Sequence, residues 1–137
     1  MTWIIGNIRW IMLLSGALTA TMVYAAISPE AALRSTFGET LNGPLAEIVV
    51  RNWGALIALV GVMLIYGAFD PPGRPLILTV AGVSKAVFIA LVLSQGGRYL
   101  GQQAGIAVAI DSLMIALFAW YLLAARAVGG QNPRPRL

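Results

Sequence analysis

The chain has 137 residues, 59% of them hydrophobic and only 10% charged, with a net charge of +4 and a mean hydropathy of +0.84. A soluble domain carries about 25% charged residues, so the solvent for most of this chain is expected to be lipid. There is no cysteine and no histidine, which excludes disulfides, thiol redox chemistry, histidine-ligated haem and the usual zinc sites, and removes the side chain best suited to proton transfer near neutral pH. Charges this sparse argue against nucleic-acid binding; a basic tail beside an apolar helix sets orientation instead.

The first apolar segment runs from about Trp3 to Ile27. Val23-Tyr-Ala25 is a passable small-residue cleavage site, but the extreme N-terminus lacks the charged region of a secretory signal. The expectation is therefore a retained transmembrane helix. Trp3 and Trp10 suit the headgroup level, Arg9 can snorkel towards it, and Gly16 and Ala20 form a small-xxx-small pair where a second helix can approach.

Ser28-Pro29-Glu30 is a helix-start signal: an N-cap serine, proline at the first helical position and an acid in the first turn. The run Ala31 to Phe37 stops at Gly38, a plausible C-cap. It is too short to span, so Ala32, Leu33 and Phe37 are expected to rest on the membrane interface, with Glu30 and Arg34 facing water. Glu39 to Pro44 reads as a turn.

The second span covers about Leu45 to Phe69. Arg51, Gly54, Ala58, Gly61 and Ile65 share a face that is small in its middle and therefore packs against protein. Tyr66 and Phe69 mark its far interface. Asp70-Pro-Pro-Gly-Arg-Pro75 makes a tight connection. The third span is about Leu76 to Leu93, with Lys85 at its centre and Gly82 on the same face. Ser94 to Arg98 is a turn, followed by interfacial Tyr99. The fourth span is about Gly105 to Ala125, interrupted by Asp111-Ser112 and closed by Trp120 and Tyr121. Residues 127–137 read as a flexible cytoplasmic tail.

These readings predict an all-α fold: an integral membrane antiparallel four-helix bundle with one short interfacial helix and no separate soluble domain. Arg74, Arg126, Arg134 and Arg136, with Arg9 nearby, fall on the side of both termini. Arg34, Arg98 and Arg51 fall on the other, with three of the five acids. By the positive-inside rule both termini are cytoplasmic, which in a bacterium means an inner-membrane protein.

A central Lys, Arg or Asp costs roughly 2.5–3.5 kcal/mol on insertion scales, so Lys85, Asp111 and Arg51 require an explanation. At about 1.5 Å per residue, Asp111 lies roughly 6 Å and Arg51 roughly 11 Å from their helix centres, both towards the non-cytoplasmic side. Asp111 thus falls in depth between Lys85 and Arg51. Glu47, one turn before Arg51, can pair with it. On one reading Lys85–Asp111 and Glu47–Arg51 are satisfied pairs that fix helix register. On another, Arg51, Trp53, Lys85 and Asp111, in a polar cluster with Asn52 and Glu47, bound a cavity between the second, third and fourth spans that opens towards the non-cytoplasmic half. Gly54, Ala58 and Gly82 would then leave room for a guest. Two cations against one acid would favour an anionic or hydrogen-bond-accepting guest: a lipid headgroup, a fatty acid or a quinone carbonyl. A proton or ion pathway is a third reading. Trp53 is either an interfacial anchor or a stacking surface, and Met12, Met22, Met63 and Met114 read as packing residues. No catalytic triad, metal motif or phosphate loop is present, and no cofactor is expected.

At this point the chain resembles bacterial four-helix membrane proteins of the DoxX-like kind, especially the DUF4345 group. The resemblance extends from the first span to about Arg126. It rests on Ser28-Pro-Glu30, Arg51-Asn-Trp-Gly54, Tyr66-Gly-Ala-Phe-Asp70 and the acid Asp111. Those relatives tend to carry glutamate where Asp111 stands and arginine in the third helix, where this chain has Lys85. The resemblance implies a compact antiparallel bundle. The function expected is non-catalytic: binding a lipid-like or other hydrophobic small molecule, or a membrane protein partner, alone or as a homo-oligomer. Two alternatives stand beside it. One is an accessory subunit of a quinone-linked oxidoreductase complex, a role the resemblance suggests; the other is a small oligomeric transporter.

Overall fold

The structure, a computed structural model, describes residues 2–130. The described residues are helical throughout apart from short connections: α1 (Thr2–Ala20), α2 (Val23–Ile27), α3 (Pro29–Phe37), α4 (Pro44–Ala68), a single 3-10 turn (Pro71–Gly73), α5 (Arg74–Ser94) and α6 (Gln103–Gly130). Taking α1 and α2 as one segment, four helical segments are long and apolar enough to cross a membrane.

The expected first span is broken. The i−4 ladder tightens at Thr21 and Met22, where Met22 and Tyr24 donate to the carbonyls of Thr19 and Thr21, three residues back. Thr19 and Thr21 direct their hydroxyls onto the backbone oxygens of Ser15 and Leu18, a competition with the ladder that bends helices. The break lets one face of the chain follow α4 along its whole length. A Cβ on Gly16 would lie 2.7 Å from the Gly61 carbonyl oxygen, and one on Gly54 would lie 2.6 Å from the Ala25 Cβ. Small residues at 16, 54 and 61 thus bring two backbones together, as the sequence pattern predicts. Further along, Gly67 approaches Met12. Rising numbers on α1 meet falling numbers on α4, so the pair is antiparallel.

Other boundaries differ from expectation for local reasons. Ser28 stands at the N-cap of α3 but makes no side-chain cap. Proline at N1 and Glu30 in the first turn start the helix, and Gly38, at φ 74°, ends it by donating to the Arg34 carbonyl. Ala32 and Leu33 are buried against the bundle, where α3 contacts both α4 and α6. The third helix begins at Arg74, two residues early, because the 3-10 turn leads straight into it. The Arg74 guanidinium turns back to the Gly67 and Ala68 carbonyls at 3.0 and 2.7 Å and satisfies the open end of α4. Asp111-Ser112 does not interrupt α6: Ser112 bonds back to the Val108 carbonyl. The helix also runs on to Gly130, so residues 127–130 of the expected tail are helical, and the rest of that tail lies outside the described residues.

The four long segments form a ring in the order α1, α4, α5, α6, with the closest packing within the pairs α1–α4 and α5–α6. One half of the ring is solid. Ile8, Met12, Leu64, Ala68, Ile77, Leu78, Ala81, Met114 and Phe118 form its core, and Trp3 stacks on Trp120 at 5.7 Å to close α1 against α6 at that end. In the other half α2 and α3 lie against the bundle, and α3 reaches from α4 to α6 across its end.

The glycine seam gives a direct test. A Cβ on Gly61 would lie 2.6 Å from the Gly16 carbonyl oxygen, whereas one on Gly82 would have nothing within 4 Å. Gly61→Val is expected to lower stability by about 1–3 kcal/mol or more through overpacking. Gly82→Ala should be neutral or gain up to about 1 kcal/mol from helix propensity. Thermal melts of the purified variants in detergent check both; equal effects would show that the seam is not a backbone contact.

Candidate functional site

The buried polar centre is Lys85. It is 7% exposed, on the inward face of α5 one turn beyond Ala81 of the solid core. Its Nζ donates to Asp111 Oδ1 on α6 at 2.8 Å and to Thr19 Oγ1 on α1 at 3.1 Å. Thr19 gives its own proton to the Ser15 carbonyl at 2.7 Å, so its oxygen is turned to the ammonium as an acceptor. A lysine ammonium has three N–H groups and a carboxylate two oxygens. Among the described residues, two of the N–H groups and the Oδ1 oxygen have partners.

Beyond this pair the ring opens. A cavity of about 370 Å³ lies between the α1–α4 and α5–α6 pairs. Lys85, Asp111 and Thr19 lie at its inner end, next to the solid core. Ile57 and Val60 of α4, Phe88 of α5 and Ile106, Ile110 and Met114 of α6 supply apolar wall. Tyr24, Thr36, Trp53 and Gln103 line it towards the end covered by α3. There Tyr24 shares hydrogen bonds with Ser35 Oγ at 2.8 Å and Thr36 Oγ1 at 3.4 Å. From Asp111 back to Gln103 is eight residues of helix, roughly 12 Å. Leu18 of α1 and Ile106 and Ile110 of α6 belong both to the wall and to the exposed exterior, so the cavity opens sideways between α1 and α6.

Not all the residues singled out in the sequence meet here. Trp53, Lys85 and Asp111 line the cavity; Arg51, Asn52 and Glu47 do not. Arg51 points to the other side of α4, where Nε and Nη2 hold Glu47 Oε1 at 3.0 and 2.7 Å. Its Nη1 donates to the carbonyls of Ala26 and Ile27, the open C-terminal end of α2. Arg51 and Glu47 line instead a shallow depression of about 790 Å³ against α3, whose other ion pair is Glu30–Arg34. Gly54 is spent on contact with α2 and Gly82 faces open space, so neither makes room in the cavity. The space comes from the divergence of the two helix pairs, with α1 as an additional wall.

Thr19 and α1 are what sequence reasoning missed. The signal was available: Ile8, Met12, Ser15, Gly16 and Thr19 recur at three- and four-residue spacing, the mark of an inward face, and each is buried. Also unforeseen is the tie across the covered end. Arg98 holds Glu39 Oε1 at 2.6 Å, and Tyr99 donates to Glu39 Oε2 at 3.3 Å. The hydrogen bond to Glu39 and its negative charge raise the Arg98 guanidinium above its ordinary value. Phe37 sits between Trp53 and Tyr99, with ring centroids 6.1 and 5.4 Å away.

No family model, curated protein or solved structure matches the chain.

The geometry itself therefore carries the reading. A buried lysine and a partly buried aspartate in direct contact, with a hydroxyl also accepting from the lysine, stand at the end of an apolar space of small-molecule size, a range of about 300–1,000 Å³. Among the described residues there is no cluster of metal-ligating side chains.

The pairing can be measured. Lys85→Met leaves Asp111, whose side chain is only 17% exposed, without its cation and is expected to cost up to about 3–5 kcal/mol. Lys85→Met with Asp111→Leu removes both desolvated charges and should recover much of that loss. Thermal melts that show the two substitutions simply adding would mean that the residues are not coupled.

Proposed function

We propose that this chain is an integral membrane protein whose four long helical segments span the bilayer, and that it binds one amphipathic small molecule non-catalytically in the Lys85–Asp111 cavity. The observation that carries the binding proposal is the cavity itself: an apolar space ending on a largely buried ion pair with one N–H and one carboxylate oxygen not paired among the described residues. A guest's polar end would meet this pair. Its apolar body would lie along Ile57, Val60, Ile106 and Ile110 and leave between α1 and α6.

Spanning is supported by the exterior, where large apolar side chains such as Leu56, Leu59, Val62, Val83, Val87 and Leu113 are more than half exposed. In water, apolar exposure on this scale would be an aggregation liability; in lipid it is solvation. The end bearing Arg9, Arg74 and Arg126, with Arg134 and Arg136 beyond it in the sequence, is proposed to be cytoplasmic in a bacterial inner membrane. Kinship with DoxX-like proteins is part of this proposal and rests on the short motifs at Ser28-Pro-Glu30, Arg51-Asn-Trp-Gly54 and Tyr66-Gly-Ala-Phe-Asp70 and on Asp111.

Two experiments test it. A reporter fused at residue 137 is expected to be active in the cytoplasm, and activity on the opposite side would reverse the orientation. Binding should raise the melting temperature by mass action. Ala107→Phe, which fills the cavity from its α6 wall, should abolish the ligand-dependent rise while leaving the empty protein folded. Arg51→Ala should lower the baseline stability and leave the rise intact, because Arg51 lies outside the cavity. A rise that survives Ala107→Phe but not Arg51→Ala would move the site to the depression beside α3.

A further inference from the structure

The charge balance of the cavity identifies the kind of head group it takes. Read as a sequence, the chain offers two cations to one buried acid and favours an anion. The structure removes one of the cations: Arg51 is held by Glu47 and by two backbone carbonyls on the opposite side of α4. Arg98, the cation nearest the covered end, is held by Glu39. Among the described residues, the ionisable groups lining the cavity are Lys85, Asp111 and the Tyr24 phenol. The Lys85–Asp111 ion pair carries no net charge as a unit. A guest anion would add an unbalanced charge beside Asp111 in a mostly apolar cavity, which on the proposed spanning arrangement opens to lipid, and such a charge costs several kcal/mol.

We infer that the cavity selects an uncharged, single-tailed amphipath whose head group both donates and accepts a hydrogen bond, a hydroxyl being the simplest, and rejects the carboxylate of the same chain length. A hydroxyl oxygen accepts from the remaining N–H of Lys85, and its proton goes to Asp111 Oδ2, so one small group completes both members of the pair. A carboxylate accepts from Lys85 but has no proton for Asp111 and repels it. The inference rests on the proposed binding role of this cavity and goes further by naming the ligand class.

The test is competition. The full chain in detergent is offered equimolar oleyl alcohol and oleate at about pH 9, well above the ordinary carboxylate range of about 4, and the retained ligand is weighed by native mass spectrometry. Oleyl alcohol is expected to be retained at least about tenfold over oleate. Asp111→Asn leaves a lone cation of nearly unchanged shape and should reverse the preference towards oleate. Melts of Asp111→Asn with and without ligand show that the variant is folded; if it is not, Asp111→Ser makes the same charge change with a smaller side chain. Preferential retention of oleate by the unaltered chain overturns this inference and leaves the cavity a binding site. A preference unchanged by removal of the acid also overturns it. Retention of neither ligand overturns both this inference and the binding role on which it rests.

Discussion

A buried lysine must find its partners in the protein, and the position of Lys85, 7% exposed, makes those partners a requirement of the whole bundle. In the ring of four segments, α5 and α1 face each other across a diagonal. The Lys85 side chain crosses that diagonal to Thr19 and turns sideways to Asp111, joining three helices at one atom. The contact works as a registration point. A slide of any of the three helices by one turn, about 5.4 Å, would separate a buried charge from its counter-charge. Apolar packing alone tolerates rearrangement better, since hydrophobic surfaces of similar volume are interchangeable.

The same point divides the molecule into two materials. On the terminal side of Lys85, Met12, Leu64, Leu78 and Phe118 fill the ring. On the other side the helix pairs part and leave the cavity. The division follows from where the small residues sit. Gly16, Gly54 and Gly61 are all used to draw α1 and α2 onto α4, so none is left to draw α4 towards α5 or α1 towards α6 around the cavity. What closes that end is different in kind: Tyr24 with Ser35, Arg98 with Glu39, and the rings of Trp53, Phe37 and Tyr99. These are contacts between side chains, and the Arg98–Glu39 pair is exposed to solvent, where an ion pair contributes at most about 1 kcal/mol.

How far the sequence discloses this depends on the range of the signal. Helix positions are legible because apolar runs, Pro29, Gly38 and Pro44 are local. The α1–α4 seam is legible because small residues at helical spacing have one main use in an apolar span. Lys85–Asp111 is legible because a buried charge demands an opposite one at similar depth. Arg51 shows where such reasoning stops. Its depth was compatible with Asp111, but depth says nothing about azimuth, and the guanidinium lies on the opposite side of α4. Gly82 errs for the same reason: sharing a face with Lys85 over less than one turn did not make it inward. The break at Thr21-Met22 depends on two threonine hydroxyls competing with the backbone, a choice that only the neighbouring helix decides.

The Lys85–Thr19 contact also bears on how the chain is made. On the proposal that the four segments span a bilayer, insertion runs from the N-terminus, and the segment carrying Lys85 arrives before the one carrying Asp111, 26 residues later. For that interval the ammonium lacks its counter-ion. The chain is equipped for the wait in two ways. The segment from Pro71 to Ser94 is the most apolar of the four, which offsets the insertion cost of one lysine. Thr19, on the first segment to be made, carries the oxygen that accepts from the ammonium in the folded chain. The order of synthesis and the order of pairing are thus compatible, and α6, made after α1 and α5, supplies the charge that joins them.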